Sequence, residues 1–183
     1  MNLILLEELN LDKVKEILIS EEEITQKVKE LGAKITKDYA GKPLLCVCIL
    51  KGSILFTADL IREINLPLEI DFMAVSSYGS STESSGIVRI LKDLDKSVEG
   101  QNVLIIEDII DSGLTLQYLL KNLNNRKAES VKVCTFLDKK ERRVVDIVPD
   151  YSGYVIPDKF VVGYGLDFAG KYRNLKYVGI YNE

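Results

Sequence analysis

The chain has 183 residues, 46% hydrophobic and 28% charged, which is the profile of a soluble globular protein long enough to bury a core. Its 24 basic and 28 acidic residues give a net charge of −4, so no bulk basic field invites nucleic acid or an acidic lipid surface. Histidine is absent, which excludes Ser-His-Asp and Cys-His nucleophiles and zinc sites built on imidazole, and leaves acid–base work to Asp, Glu, Lys, Tyr or Cys.

In chain order, Leu3–Leu6 is too short for a membrane span, and Glu7, Glu8 and Asp12 follow it with no cleavage site, which argues against a signal peptide. Residues 2–18 read as mixed structure, with Ile17–Ser20 extended, in preference to a second amphipathic helix. Ser20 and Glu23 fit a capping box, and Ile24, Val28, Leu31, Ile35 and Tyr39 recur at spacings of three and four. They predict an amphipathic helix over 21–39, stopped near Gly41. Leu44–Leu50 is an apolar strand ending at Lys51-Gly52-Ser53. A helix over Ile54–Ile64 and a strand over Ile70–Ser76 follow. Residues 79–86 are small and polar and read as a loop, and Val88–Leu91 as a short strand or hairpin arm. Val103–Ile106 is a strand with Glu107 and Asp108 placed just after its end. Then come a helix over 114–124 and a strand over Val131–Leu137. Alternation of strand and helix predicts an α/β fold, a Rossmann-like parallel sheet flanked by helices. After Asp150 the runs are short and rich in Gly and Tyr. They predict a small hood, joined by N-terminal residues. The expected organisation is one domain over 1–183, with a core at about 20–150 and a hood from about 151–183.

Ligands of open α/β sheets bind outside the carboxyl ends of the strands. Three such ends carry informative residues. Lys51-Gly52 is the first. The second is Glu107-Asp108, then Asp111-Ser112-Gly113-Leu114-Thr115, three carboxylates in five residues running into a hydroxyl–Gly–hydroxyl turn at a helix start. Backbone N–H groups and hydroxyls there favour a phosphate. The carboxylates suit sugar hydroxyls or a divalent metal. Without histidine any metal site is oxygen-liganded, which favours magnesium or manganese. The third end is Asp138-Lys139. By themselves Lys140, Arg142 and Arg143 read as a solvated face, Phe160 as core, and Asp167 and Arg173 as surface charges. Cys46, Cys48 and Cys134 lie in apolar runs without a C-x-x-C, so buried reduced thiols and a cytoplasmic location are expected.

Several motifs occur together in one order: Leu50-Lys51-Gly52, Ser76-Ser77-Tyr78-Gly79, Glu107–Gly113, Leu137-Asp138-Lys139, Pro157–Asp167 and Lys171–Leu175. In this the chain resembles the type I phosphoribosyltransferases, and among them the bacterial hypoxanthine (hypoxanthine-guanine) phosphoribosyltransferases. The resemblance spans Ile17–Ile180. It implies transfer of phosphoribose from 5-phosphoribosyl-1-pyrophosphate (PRPP) to hypoxanthine or guanine, with Mg2+. Asp111 is implied as the base at purine N7. Glu107 and Asp108 are implied to hold the ribose hydroxyls, directly or through magnesium, and Ser112, Gly113, Leu114 and Thr115 the 5′-phosphate. Lys139 is implied to read purine O6, Phe160 to stack on the ring, and the Val161 and Asp167 carbonyls to meet a 2-amino group. Asp167 is also implied to ligand a second magnesium. Lys51-Gly52, Ser77, Tyr78 and Arg173 are implied at the pyrophosphate, with a non-proline cis peptide in Lys51-Gly52 and the 77–86 loop closing above. Lys140 departs from the pattern, where members often have Pro. The implied partners are small-molecule substrates, with neither nucleic acid nor membrane, and the implied assembly is a homodimer or homotetramer. The rival readings are a nucleic-acid-binding regulator on the same fold and a xanthine-preferring enzyme.

Overall fold

A computed structural model describes residues 13–77 and 88–182. The capping box forms, with the Ser20 N–H donating to Glu23 Oε2 at 2.8 Å and Ser20 Oγ accepting from the Glu23 N–H at 3.2 Å. It opens α1 (Glu21–Asp38), whose buried stripe is Ile24, Val28, Leu31, Gly32 and Ile35. Two further helices, α2 (Ile54–Glu63) and α3 (Leu114–Asn125), fall close to the expected ranges.

A six-stranded sheet contains β2 (Leu45–Leu50), β3 (Glu69–Ser77), β4 (Val88–Lys92), β5 (Asn102–Ile110), β6 (Ser130–Asp138) and β7 (Tyr151–Val155). Their order is β4-β3-β2-β5-β6-β7, and every pair is parallel except β3 with β4. Burial of consecutive residues in β2 and β5 is what a sheet covered on both faces requires. On one face α1 and α2 pack Val28, Ile35, Phe56 and Leu60 against Cys46, Leu104 and Phe136. On the other, α3 packs Leu116, Leu119 and Leu123 against Val47, Val103 and Ile105. The three cysteines are free and buried. Among the described residues no helix is long and apolar enough to cross a membrane.

A second sheet joins the two ends of the chain. β1 (Val14–Ile19) pairs with β9 (Val178–Tyr181), which pairs with β8 (Val161–Val162), both antiparallel. This sheet is the hood. Two expectations change. Tyr151–Val155 was expected in the hood but forms the edge strand of the large sheet, because its backbone pairs with β6. β5 does not stop at Ile106, so Glu107 and Asp108 lie within the strand.

The strand order also fixes where a ligand can enter. From β2 the chain continues to β3 on one side, while β5, β6 and β7 extend the other side. The order therefore reverses between β2 and β5, and the crevice of such a sheet opens at their carboxyl ends.

Candidate active site

A cavity of about 460 Å³ occupies that crevice. It is lined by Leu50 and Gly52 at the end of β2, by Glu107–Gly113 and Thr115, and by the hood residues Asp167 and Arg173. Residues far apart in sequence thus converge because two strand ends and the hood meet at one point.

The wall at the sheet is acidic. Glu107 is 8% exposed and Asp108 half-buried, and neither forms an ion pair within 4 Å among the described residues. Burial first, and then the neighbouring Asp108 charge, push Glu107 well above the usual carboxylate range. Burial likewise pushes Asp108 up to about 6, against hydrogen bonds and the attraction of Arg173 that act downward. Asp108 Oδ1 accepts the Ile109 N–H at 2.9 Å. Gly52 makes room for this carboxylate, since a Cβ there would fall 1.6 Å from Asp108 Oδ2. The non-proline cis peptide is Leu50–Lys51, one bond earlier than expected.

The turn after β5 opens α3 on a left-handed glycine. Gly113 has φ +85°, and it offers no side chain to cap α3. The Leu114 N–H donates to Ser112 Oγ at 3.5 Å, and Ser112, Gly113 and Thr115 line the cavity where α3 begins, the end of a helix that favours an anion. Behind the turn stands Arg143, whose Nε donates to Asp111 O at 3.3 Å. Its guanidinium also pairs with the buried Asp138 carboxylate and donates to Ile147 O. Arg143 was read as part of a solvated face. It is instead a brace under the turn, and only contacts made after folding reveal it.

Three further charged groups sit at the rim. Arg142 Nε lies 2.7 Å from Asp111 Oδ1, and its Nη1 lies 3.4 Å from Asp158 Oδ1. Lys139 is buried and places Nζ 3.5 Å from the same Asp158 oxygen. Its N–H donates to Ile110 O at 3.0 Å, which ties the end of β6 to that of β5. Asp158, and Arg142 as a partner of Asp111, were missed in the sequence. The only signal was their nearness to Lys139 and Phe160.

Asp167 and Arg173 are not ordinary surface charges. They pair at 2.6 Å, Asp167 accepts the Gly170 N–H at 2.8 Å, and Arg173 Nη1 donates to Gly165 O at 2.6 Å. Phe160 is not core either. It is 49% exposed, with its ring edge-on to Phe168 and Tyr181 at 5.9 Å each, while Phe168 and Tyr181 stack at 4.4 Å. Val161 is buried in β8. Lys51 is exposed, and Lys51, Leu114, Lys139, Phe160 and Val161 do not line the cavity itself. Ser77 closes β3, whereas Tyr78 and the 79–86 loop lie outside the described residues.

No group of three or more Asp, Glu or Cys side chains converges into a metal cage among the described residues, so Glu107, Asp108 and Asp167 are not one ligand set. One buried and one half-buried carboxylate, neither with an ion-pair partner among the described residues, nonetheless fit magnesium, which takes one or two carboxylates and fills its shell with water and substrate phosphate oxygens.

The phosphoribosyl transferase domain family matches residues 14–169. The hypoxanthine-guanine phosphoribosyltransferase of Bacillus subtilis is 58% identical over 167 residues, covering 91% of this chain and 93% of that protein. The enzyme of the same name from Streptococcus thermophilus is 56% identical over 170 residues, covering 93% and 94%. A crystal structure of a hypoxanthine phosphoribosyltransferase from Staphylococcus aureus superposes with a TM-score of 0.92 at 53% identity, covering 95% of each chain. The chain belongs to the phosphoribosyltransferase family, among the hypoxanthine-guanine phosphoribosyltransferases.

Proposed function

We propose that this protein is a purine-salvage transferase, a single phosphoribosyltransferase domain that makes IMP from hypoxanthine and GMP from guanine. Purine nitrogen attacks C1 of PRPP, the bond to pyrophosphate breaks, and configuration at C1 inverts. The observation that carries the reading is the convergence of Glu107–Gly113, Thr115, Gly52, Asp167 and Arg173 on one cavity at the switch point of the sheet, with Lys139 buried beside it.

The phosphate end of PRPP goes to the N–H groups and hydroxyls of Ser112, Gly113, Leu114 and Thr115. Glu107 and Asp108 hold the ribose hydroxyls. Arg173 and the Lys51-Gly52 backbone, with Ser77 and Tyr78, take the pyrophosphate. Asp111 accepts the N7 proton, as a carboxylate with no competing histidine can. Lys139 donates to O6, a contact that adenine's amino group reverses, so adenine leaves a buried donor unmatched. Phe160 stacks on the ring, and the carbonyls of Val161 and Asp167 face a 2-amino group. Glu107 and Asp108, with PRPP oxygens, would hold one magnesium and Asp167 a second, and these ions would supply charge neutralisation at the departing pyrophosphate. The buried free thiols support a cytoplasmic setting. The same reading carries a homodimer or homotetramer.

One assay tests the activity. The protein is incubated with PRPP and magnesium and, separately, hypoxanthine, guanine, xanthine, adenine or uracil, and pyrophosphate release is followed. Release with hypoxanthine and guanine and none with adenine or uracil is expected. Release with xanthine alone, or with no base, sinks the reading.

A further inference from the structure

We propose that Arg142 is a positioning residue that covers the base in the empty site and hands it over when a 6-oxopurine arrives. Four charged side chains form an alternating chain, Asp111–Arg142–Asp158–Lys139. The successive separations are 2.7, 3.4 and 3.5 Å. Its two ends are the groups assigned above to purine N7 and purine O6, and the inference rests on that assignment. In the structure both ends are engaged by internal partners.

A 6-oxopurine exchanges these partners evenly. Its N7–H takes Asp111 from Arg142, and its O6 takes Lys139 from Asp158. The two groups released, Arg142 and Asp158, carry opposite charges and already stand 3.4 Å apart, so they close on each other and no charge is left unpaired. A guanidinium suits this because its fork sets Nε beside one carboxylate and Nη1 beside the other, which an ammonium does not, and the Nε contact is an ion pair that leaves Asp111 Oδ1 without a hydrogen bond. Its setting suits it too. Arg142 ends a single 3-10 turn, Lys140–Arg142, and its side chain is 44% exposed. The adjacent Arg143 is pinned by Asp138, Asp111 O and Ile147 O. One arginine braces the phosphate turn and the other is free to change partner.

Steady-state kinetics with hypoxanthine, PRPP and magnesium test this. Arg142→Gln removes the competitor for Asp111, so the hypoxanthine KM falls by about two- to five-fold, the weight of one half-exposed ion pair, with the PRPP KM unchanged. Arg142→Lys returns the hypoxanthine KM part of the way. A hypoxanthine KM that rises overturns the proposal, because Arg142 then contacts substrate. A PRPP KM that shifts in step also overturns it, because Arg142 then braces the turn. The Asp111→Asn background separates the two readings. There the effect of Arg142→Gln on the residual hypoxanthine KM shrinks toward none, and its persistence sinks the handover alone. Turnover of Asp111→Asn near that of the unaltered protein sinks the assignment of the base.

Discussion

At the scale of the residue, the decisive tension is in Asp108, a carboxyl group held among apolar strand residues with no cation within pairing distance among those described. Its pKa is raised from the ordinary value of 3.8 to about 6 by burial. The folded protein therefore holds this proton more tightly than the unfolded chain does. The stability contributed by that proton is complete below about pH 4 and is lost as pH rises through about 6. Glu107 acts in the same direction for the same first reason. An asparagine keeps the Oδ1 that accepts the Ile109 N–H but never ionises. Asp108→Asn is therefore expected to melt a few degrees higher than the unaltered protein at about pH 7.5, with the gain vanishing near pH 4. Thermal denaturation followed by circular dichroism across that range checks it. A gain of equal size at every pH would mean that packing, not ionisation, sets the difference. The variant is also expected to lose activity, since on the proposed assignment it removes a carboxylate that holds the ribose hydroxyls or magnesium.

At the scale of the element, the turn from β5 into α3 depends on one backbone conformation. Gly113 sits at φ +85°, and a Cβ there would stand 2.7 Å from Val145 Cγ2 and 2.8 Å from Arg143 Cδ. Gly113→Ala thus meets both a left-handed penalty of about 1–2 kcal/mol and a clash with the brace beneath the turn. Urea denaturation should show a loss of at least that size, and the PRPP KM should rise more than the hypoxanthine KM. Equal rises would argue against a phosphate role for the turn. Elements whose ends are marked by local chemistry were legible in the sequence. The Ser20–Glu23 box and the apolar spacing of α1 are of this kind, as is the glycine turn before α3. The end of β5 was not. Glu107 and Asp108 look like the close of a strand, yet backbone pairing continues through Glu107 with Thr135 and Ile110 with Asp138. A ladder of main-chain hydrogen bonds does not depend on side-chain polarity, and the carboxylates are tolerated there because the strand runs out into a cavity. Arg143 was illegible for a different reason. A charge five residues beyond Asp138 looks solvated until the fold brings Asp111 and Ile147 to it.

At the scale of the molecule, the site divides between two sheets built from different parts of the chain. Gly165 of the hood packs so closely on the large sheet that a Cβ there would stand 1.9 Å from Gly52 O. Tyr164 OH also donates to Asp59 of α2 at 2.8 Å, so the hood is fastened close to the reaction centre. Periodicity alone could not supply this arrangement, because neither the strand order nor the pairing of β1 with β9 is written in local sequence. The arrangement predicts a separation of labour. Phe160 is presented by the Phe168–Tyr181 stack of the hood, whereas Ser112 and Thr115 belong to the large sheet's turn. Loss of a base–aromatic stack is worth about 1–3 kcal/mol, so Phe160→Ala should raise the hypoxanthine KM roughly ten-fold or more while the PRPP KM holds. Thr115→Val should do the reverse, because it removes a hydroxyl from the turn assigned to the phosphate. The two substitutions lie on separate parts of the fold, the turn of the large sheet and the hood, so their effects on binding energy should add in the double variant. A Phe160→Ala protein with an unchanged hypoxanthine KM would show that the half-exposed ring serves the packing of the hood and not the purine.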